Sequence, residues 1–267
     1  MAGIRKFVAL TRIGFAARGL IYILIGYLAL RSGRTEGSAG TLEYLSGGAG
    51  RWLLAVVAAG LLAYGAWRLT DAWFDTQGRG RDANGLALRL GGAASGIVHA
   101  ALAFFAARLV AGFGSSGEDG ESARQGAATA LALPAGQTLL LVAAGVLFVV
   151  GAYQLVKAVR QEYLRHLDPR VSRRAWVKWV GSLGHGARGI VFLIVAWSFW
   201  RAAAEGRASE ARGMGEALGS LPDTAQAAIA AGLLLFGVFS LVEGRYRAIT
   251  DPRVIQRLKG AGRMPGF

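Results

Sequence analysis

Long apolar runs recur six times along the chain, each of roughly 18 to 24 residues and each separated from the next by polar, charged text. A helix needs about 20 apolar residues to cross roughly 30 Å of hydrocarbon. The pattern therefore predicts an all-α polytopic membrane protein with spans near 13–30, 52–70, 90–113, 138–158, 180–200 and 225–243. Trp52, Trp73, Trp176, Trp179 and Trp200 stand near the ends of these runs, where aromatic belts form. Arg5, Lys6 and Arg12 precede the first run, as in a secretory signal. Arg18 interrupts that run, however, and no clear A-x-A site follows, so it is expected to remain as a helix.

The runs are copies of one another. IGFAARGLIY at 13–22 matches LGGAASGIVH at 90–99 and LGHGARGIVF at 183–192. YGAWRLTDA at 64–72 matches VGAYQLVKA at 150–158 and FGVFSLVEG at 236–244. The chain thus divides into units 1–89, 90–179 and 180–267, the last carrying a basic tail. Each unit holds two spans, so successive units enter the bilayer from the same side, unlike inverted repeats. Three parallel helix hairpins in a pseudo-threefold bundle are the simplest arrangement; three pairs in a row or an asymmetric packing fit the same text. Gly14, Gly91 and Gly184, then Gly19, Gly96 and Gly189, keep one face of each first helix small; Gly65, Gly151 and Gly237 do so in the second helices. Close helix packing is the expected role of all nine. Between the two helices of each unit, TLEYLSGGAG, ATALALPAG and MGEALGSLPD align as an outer cap. RQEYLRHLDPR and RYRAITDPR, ending at Arg170 and Arg253, read as helical extensions stopped before proline.

Charge sets the orientation. The formal net charge is +14, and 20 of the 30 Lys and Arg fall on the side of the termini, against 8 on the other. That bias places both termini in the cytoplasm of a plasma (inner) membrane. It also accounts for the basic composition without nucleic acid, and favours anionic inner-leaflet lipids as partners. A second copy or another membrane protein stays open as a partner. With no cysteine there is no disulfide or thiolate chemistry.

Arg18 and Arg188 share one repeat position inside the spans, where unit two has Ser95. Asp71 and Glu243 share another, where unit two has Lys157. Arginine in the first helix thus accompanies an acid in the second, which predicts ion pairs Arg18–Asp71 and Arg188–Glu243 within their hairpins. In the same register Ser95 spares Lys157 a like charge. Snorkelling to lipid phosphate and a functional anion site are the alternatives. His99 and His185 suit interhelical hydrogen bonds better than a proton relay or haem, and His166 lies in a basic loop. Three scattered histidines make no metal site. No G-x-S-x-G, H-E-x-x-H or Walker A motif is present, and no cofactor is expected.

GFAARG at 14–19 with AGLLAYGAWRLTDA at 59–72, and GHGARG at 184–189 with FGVFSLVEG, resemble the bacterial membrane-protein family called domain of unknown function 1206. The resemblance covers about residues 10 to 250 in three copies and implies tandem pairs of transmembrane helices; it carries no chemistry. The chain is therefore expected to be a non-enzymatic scaffold, envelope or interaction protein. The alternative is a small-solute or anion channel or transporter lined by Arg18, Arg188, Ser95 and His99. A haem or redox protein using His99 or His185 ranks third.

Overall fold

The computed structural model describes residues 2–32, 35, 37–47, 50–75, 78–113 and 119–247. The basic tail, the second DPR at 251–253 and the side chains of Arg5 and Lys6 lie outside the described residues. The chain is an all-α polytopic membrane protein. Six long apolar helices cover the expected spans: α1 (Ala2–Ser32), α3 (Gly50–Phe74), α4 (Ala83–Val110), α6 (Gly136–Arg160), α8 (Ala175–Glu205) and α10 (Asp223–Tyr246). Short helices α2 (Ser38–Tyr44), α5 (Asp119–Leu131), α7 (Pro169–Ser172) and α9 (Met214–Gly219) lie between them. α4 begins ahead of the expected 90 because Asp82 caps it, its carboxylate accepting from the Gly85 amide at 3.3 Å. Arg89 on α4 donates to the carbonyls of Ala72 and Trp73, at 2.8 and 3.0 Å, and so satisfies the end of α3.

The long helices pack in the order α4, α3, α1, α10, α8, α6. Three of these five seams are crossings of two glycines that occupy one repeat position each. At α1/α10 a Cβ on Gly19 would meet the Gly237 carbonyl oxygen at 2.8 Å, and one on Gly237 would meet that of Gly19 at 2.6 Å. Gly65 and Gly96 face each other in the same way at α3/α4, with 2.9 and 3.1 Å, and Gly151 and Gly189 at α6/α8, with 3.1 and 3.0 Å. These are close backbone approaches that any side chain would push apart.

The other two seams lie within units. Gly14 on α1 faces Tyr64 on α3, and Gly184 on α8 faces Phe236 on α10. Beside them, a Cβ on Gly60 would collide with Ala17, and one on Gly232 with Ala187. The middle unit lacks this seam, since α4 and α6 form no packed interface among the described residues. Its counterpart of Gly60 and Gly232 is Val146, a branched side chain where the glycines let Ala17 and Ala187 approach. Gly91 accordingly meets nothing within 4 Å, and Val98 is 56% exposed where its equivalents Ile21 and Val191 are 2% and 0%.

The two ends of the bundle differ. At one, α2, α5 and α9 touch one another, and Leu42, Leu45 and Leu218 join the core formed by Ile25, Leu54, Leu61, Ala106 and Leu233. At the other, basic end, the expected continuous extension of α6 does not form. Gln161 turns to φ 51°, and a 3-10 turn follows over Glu162–His166. The break lets Tyr163 fold back on Gly181, donate to the Lys178 carbonyl at 2.7 Å and stack on His185. Leu167 then bridges antiparallel to Arg247, and the Asp168 amide donates to the Tyr246 carbonyl at 3.0 Å.

Candidate functional site: a cationic cluster at the basic end

The glycine seams decide which repeat positions meet. A first helix lies against the second helix of the neighbouring unit, so the Arg18/Ser95/Arg188 position faces the Asp71/Lys157/Glu243 position across units. Three unlike pairings result.

At α1/α10 the charges are complementary. Arg18 is buried and all three guanidinium corners are engaged: Nη2 donates to Glu243 Oε2 at 2.7 Å, Nη1 to the Tyr64 hydroxyl at 2.7 Å and Nε to the Ser240 hydroxyl at 3.2 Å. Ser240 in turn donates to the Phe236 carbonyl at 2.9 Å. The guanidinium also lies 4.7 Å from the Phe15 ring centroid and 5.1 Å from that of Phe236. Glu243 Oε1 accepts from Arg247 at 2.9 Å, so one carboxylate serves two arginines. The expected Arg18–Asp71 pair is corrected: the acid at that repeat position exists on both neighbouring helices, and the glycine crossing selects Glu243.

At α3/α4 the first helix contributes Ser95 and no cation. Asp71, 1% exposed, pairs instead with Arg79 of the following loop at 3.3 Å. The loop is shaped by Asp75 at φ 50°, whose carboxylate accepts from the amides of Arg79 and Gly80 at 2.7 and 3.0 Å.

At α6/α8 both positions are cationic. The expected Arg188–Glu243 pair is corrected as well: Arg188 Nε donates to the Tyr22 hydroxyl at 2.9 Å, and its guanidinium rests over Phe192 and Phe236 at 4.8 and 4.9 Å. Lys157 lies 4.6 Å from the Tyr153 ring centroid, within the long-range attraction of Glu243 and the repulsion of Arg68, Arg188 and Arg18, and without an ion-pair contact to a carboxylate among the described residues. Ser95 therefore spares it nothing, because its neighbour is α8 and not α4. Arg68 is a third cation, resting on Trp67, its Nε buried and without a hydrogen-bond partner among the described residues. None of Arg68, Lys157 and Arg188 has a carboxylate partner among the described residues. Just beyond the spans, burial pushes the Arg79 and Arg247 guanidiniums down, against the pull of Asp71 and Glu243; nearby Arg68 adds to the push on both.

The histidines do other work. His99 bonds through Nδ1 to the Ser95 carbonyl at 2.7 Å and packs on Tyr64. His185 approaches Gln154 Oε1 at 3.2 Å among Tyr163, Phe236 and Phe239. The two share no contact residue in these interactions, and no metal-binding group of three His, Asp or Glu occurs among the described residues.

Sequence reading passed over Arg68, Arg79, Arg247, Tyr22, Tyr64 and Ser240 as members of this cluster. Two signals pointed to three of them. Tyr22 and Tyr64 are hydroxyl-bearing residues in runs of aliphatic text, and Arg68 is one helical turn from Tyr64.

The chain matches the family model described as Domain of Unknown Function (DUF1206) over residues 13–75, 90–161 and 183–247. It is 30% identical over 252 residues to the Bacillus subtilis (strain 168) protein called "Uncharacterized protein YxxB", covering 90% of each chain. No solved structure matches it significantly.

Proposed function

Since the chain belongs to the DUF1206 family, whose description assigns no chemistry, we propose from the site alone that it is a non-enzymatic membrane protein that holds an anionic group among Arg68, Lys157 and Arg188. The architecture in this reading is three parallel two-helix units around a pseudo-threefold axis. The three equivalent glycine crossings support it, and the middle unit departs from it. The termini lie in the cytoplasm of the plasma membrane, which the arginine and lysine bias supports. The basic end, and the cluster with it, then sits in the inner leaflet.

The observation that carries the reading is the α6/α8 seam, where Lys157 and Arg188 occupy the positions that Glu243 and Arg18 fill at α1/α10. Cations held against apolar helices at this depth need a counter-charge. Among the described residues no carboxylate forms an ion pair with them, because Glu243 and Asp71 already serve Arg18, Arg247 and Arg79, which leaves room for a counter-charge from a bound anion. A guanidinium and an ammonium within electrostatic reach of each other suit an oxyanion. The apolar core beneath the outer caps argues against a conduit through the bundle, so binding fits better than conduction.

Lys157→Glu tests the reading. It copies the Arg18–Glu243 arrangement into α6/α8 and supplies the missing carboxylate. In detergent without phosphate, the variant should melt at higher temperature than the parent. The parent should gain stability with added inorganic phosphate, by about 2.7 kcal/mol at a hundredfold excess over Kd, and the variant should not. A parent indifferent to phosphate, beside a variant that melts lower, would sink the proposal.

A further inference from the structure

The seam that unit two fails to form lies beside the cluster, between α4 and α6. In units one and three the first and second helices close on each other through Ala17 and Gly60, and Ala187 and Gly232. In unit two the same positions are Ala94 and Val146, both exposed, and the helices stand apart. Val98 and Val146 line the walls of this slot, at 56% and 53% exposure, and Gly91 lies open nearer the basic end. Lys157 stands three helical turns beyond Val146 on α6, at the mouth of the slot. Among the described residues, an apolar slot beside cations that have no ion-pair carboxylate suits a molecule with a chain at one end and an anion at the other.

Building on the anion-binding reading, we propose that the occupant is an anionic phospholipid, its headgroup phosphate on Lys157, Arg188 and Arg68 and an acyl chain between α4 and α6. Its chemistry at the cations is that of free phosphate; its entry is different. Phosphate reaches the cluster from the aqueous basic end. The lipid enters sideways from the bilayer, so its binding depends on the slot as well as the charge. A zwitterionic lipid carries a compensating cation beside its phosphate and is a poorer counter-charge.

The experiment compares the parent with Lys157→Glu and Val98→Trp, the latter filling the slot from the lipid-exposed side. Melting temperature is read in nanodiscs of phosphatidylcholine alone, in phosphatidylcholine with phosphatidylglycerol, and in detergent with inorganic phosphate. Native mass spectrometry of protein released from the mixed discs reads the bound lipid. The expected result is a parent stabilised by phosphatidylglycerol and by phosphate and retaining one phosphatidylglycerol. Lys157→Glu should lose both responses, and Val98→Trp should lose the lipid response and keep the phosphate response. If Val98→Trp kept both, lateral lipid entry would be overturned and anion binding would stand. A parent that responds to neither overturns both readings. A second copy of the chain retained in the slot in place of lipid, seen as a dimer by mass, also overturns the lipid assignment. Val98→Leu controls for folding, since it keeps the aliphatic surface and should behave as the parent.

Discussion

Arg18 on the first long helix and Glu243 on the last are joined at 2.7 Å, both buried, although 225 residues separate them. The pair closes α1 on α10 and is backed by Tyr64, Ser240 and Arg247. Removing one member of such a pair leaves a charge behind, which costs about 3–5 kcal/mol when the survivor has no other partner. Glu243 keeps Arg247 when Arg18 is lost, whereas the loss of Glu243 takes from the buried Arg18 its ion-pair carboxylate and from Arg247 one of its contacts. Glu243→Gln is therefore expected to destabilise more than Arg18→Ala. A double-mutant cycle by reversible unfolding should give coupling for Arg18 with Glu243 and none for Arg18 with Asp71. Coupling to Asp71 would contradict the cross-unit pairing.

The glycine crossings predict opposite outcomes for equivalent substitutions. Gly19→Ala and Gly237→Ala force a methyl against a carbonyl oxygen and should cost about 1–3 kcal/mol each by overpacking. Gly91→Ala, with nothing within 4 Å, should shift stability by no more than a few tenths of a kcal/mol, in the favourable direction expected for replacing glycine within a helix. Equal effects at Gly19 and Gly91 would mean that the open seam is closed in the membrane.

The outer ion pair between Arg124 on α5 and Glu216 on α9 is half-exposed and links two caps. Pairs of this kind contribute about 0–1 kcal/mol. Arg124→Ala should therefore lower the melting temperature far less than Arg18→Ala, and added salt should narrow the gap between parent and variant only slightly.

Because the chain has no cysteine, orientation can be read with single thiols. Arg81→Cys, in the basic-end loop, should react with an impermeant maleimide only after cells are opened. Gln125→Cys, on the outer cap, should react in intact cells. The reverse labelling would invert the proposed topology.

The six spans were legible because a bilayer demands long, uninterrupted apolar runs, and α3 and α6 extend only a few residues past the expected limits. What the repeat could not say is which neighbour a position serves. In a ring of parallel repeats a first helix can meet two second helices, its own and that of the preceding unit, and both present the same repeat position. Asp71 and Glu243 were thus equally good partners for Arg18 in the text, and only the crossing of Gly19 on Gly237 separates them. The missing seam was legible: Val146 interrupts a column that reads glycine at 60 and 232. The broken extension after α6 was not, because it depends on Tyr163 finding room over Gly181, a contact across two elements.

The α1/α10 seam also orders events at the ribosome. Arg18 is made 225 residues before Glu243, so at roughly 5–20 residues per second the cation spends about 10 to 45 seconds in or beside the membrane before its carboxylate is synthesised. Through that interval water or lipid headgroups must satisfy it, and α1 cannot settle at its final depth. A helix made early is thus locked in place only after one made 225 residues later, so packing of α1 trails its insertion.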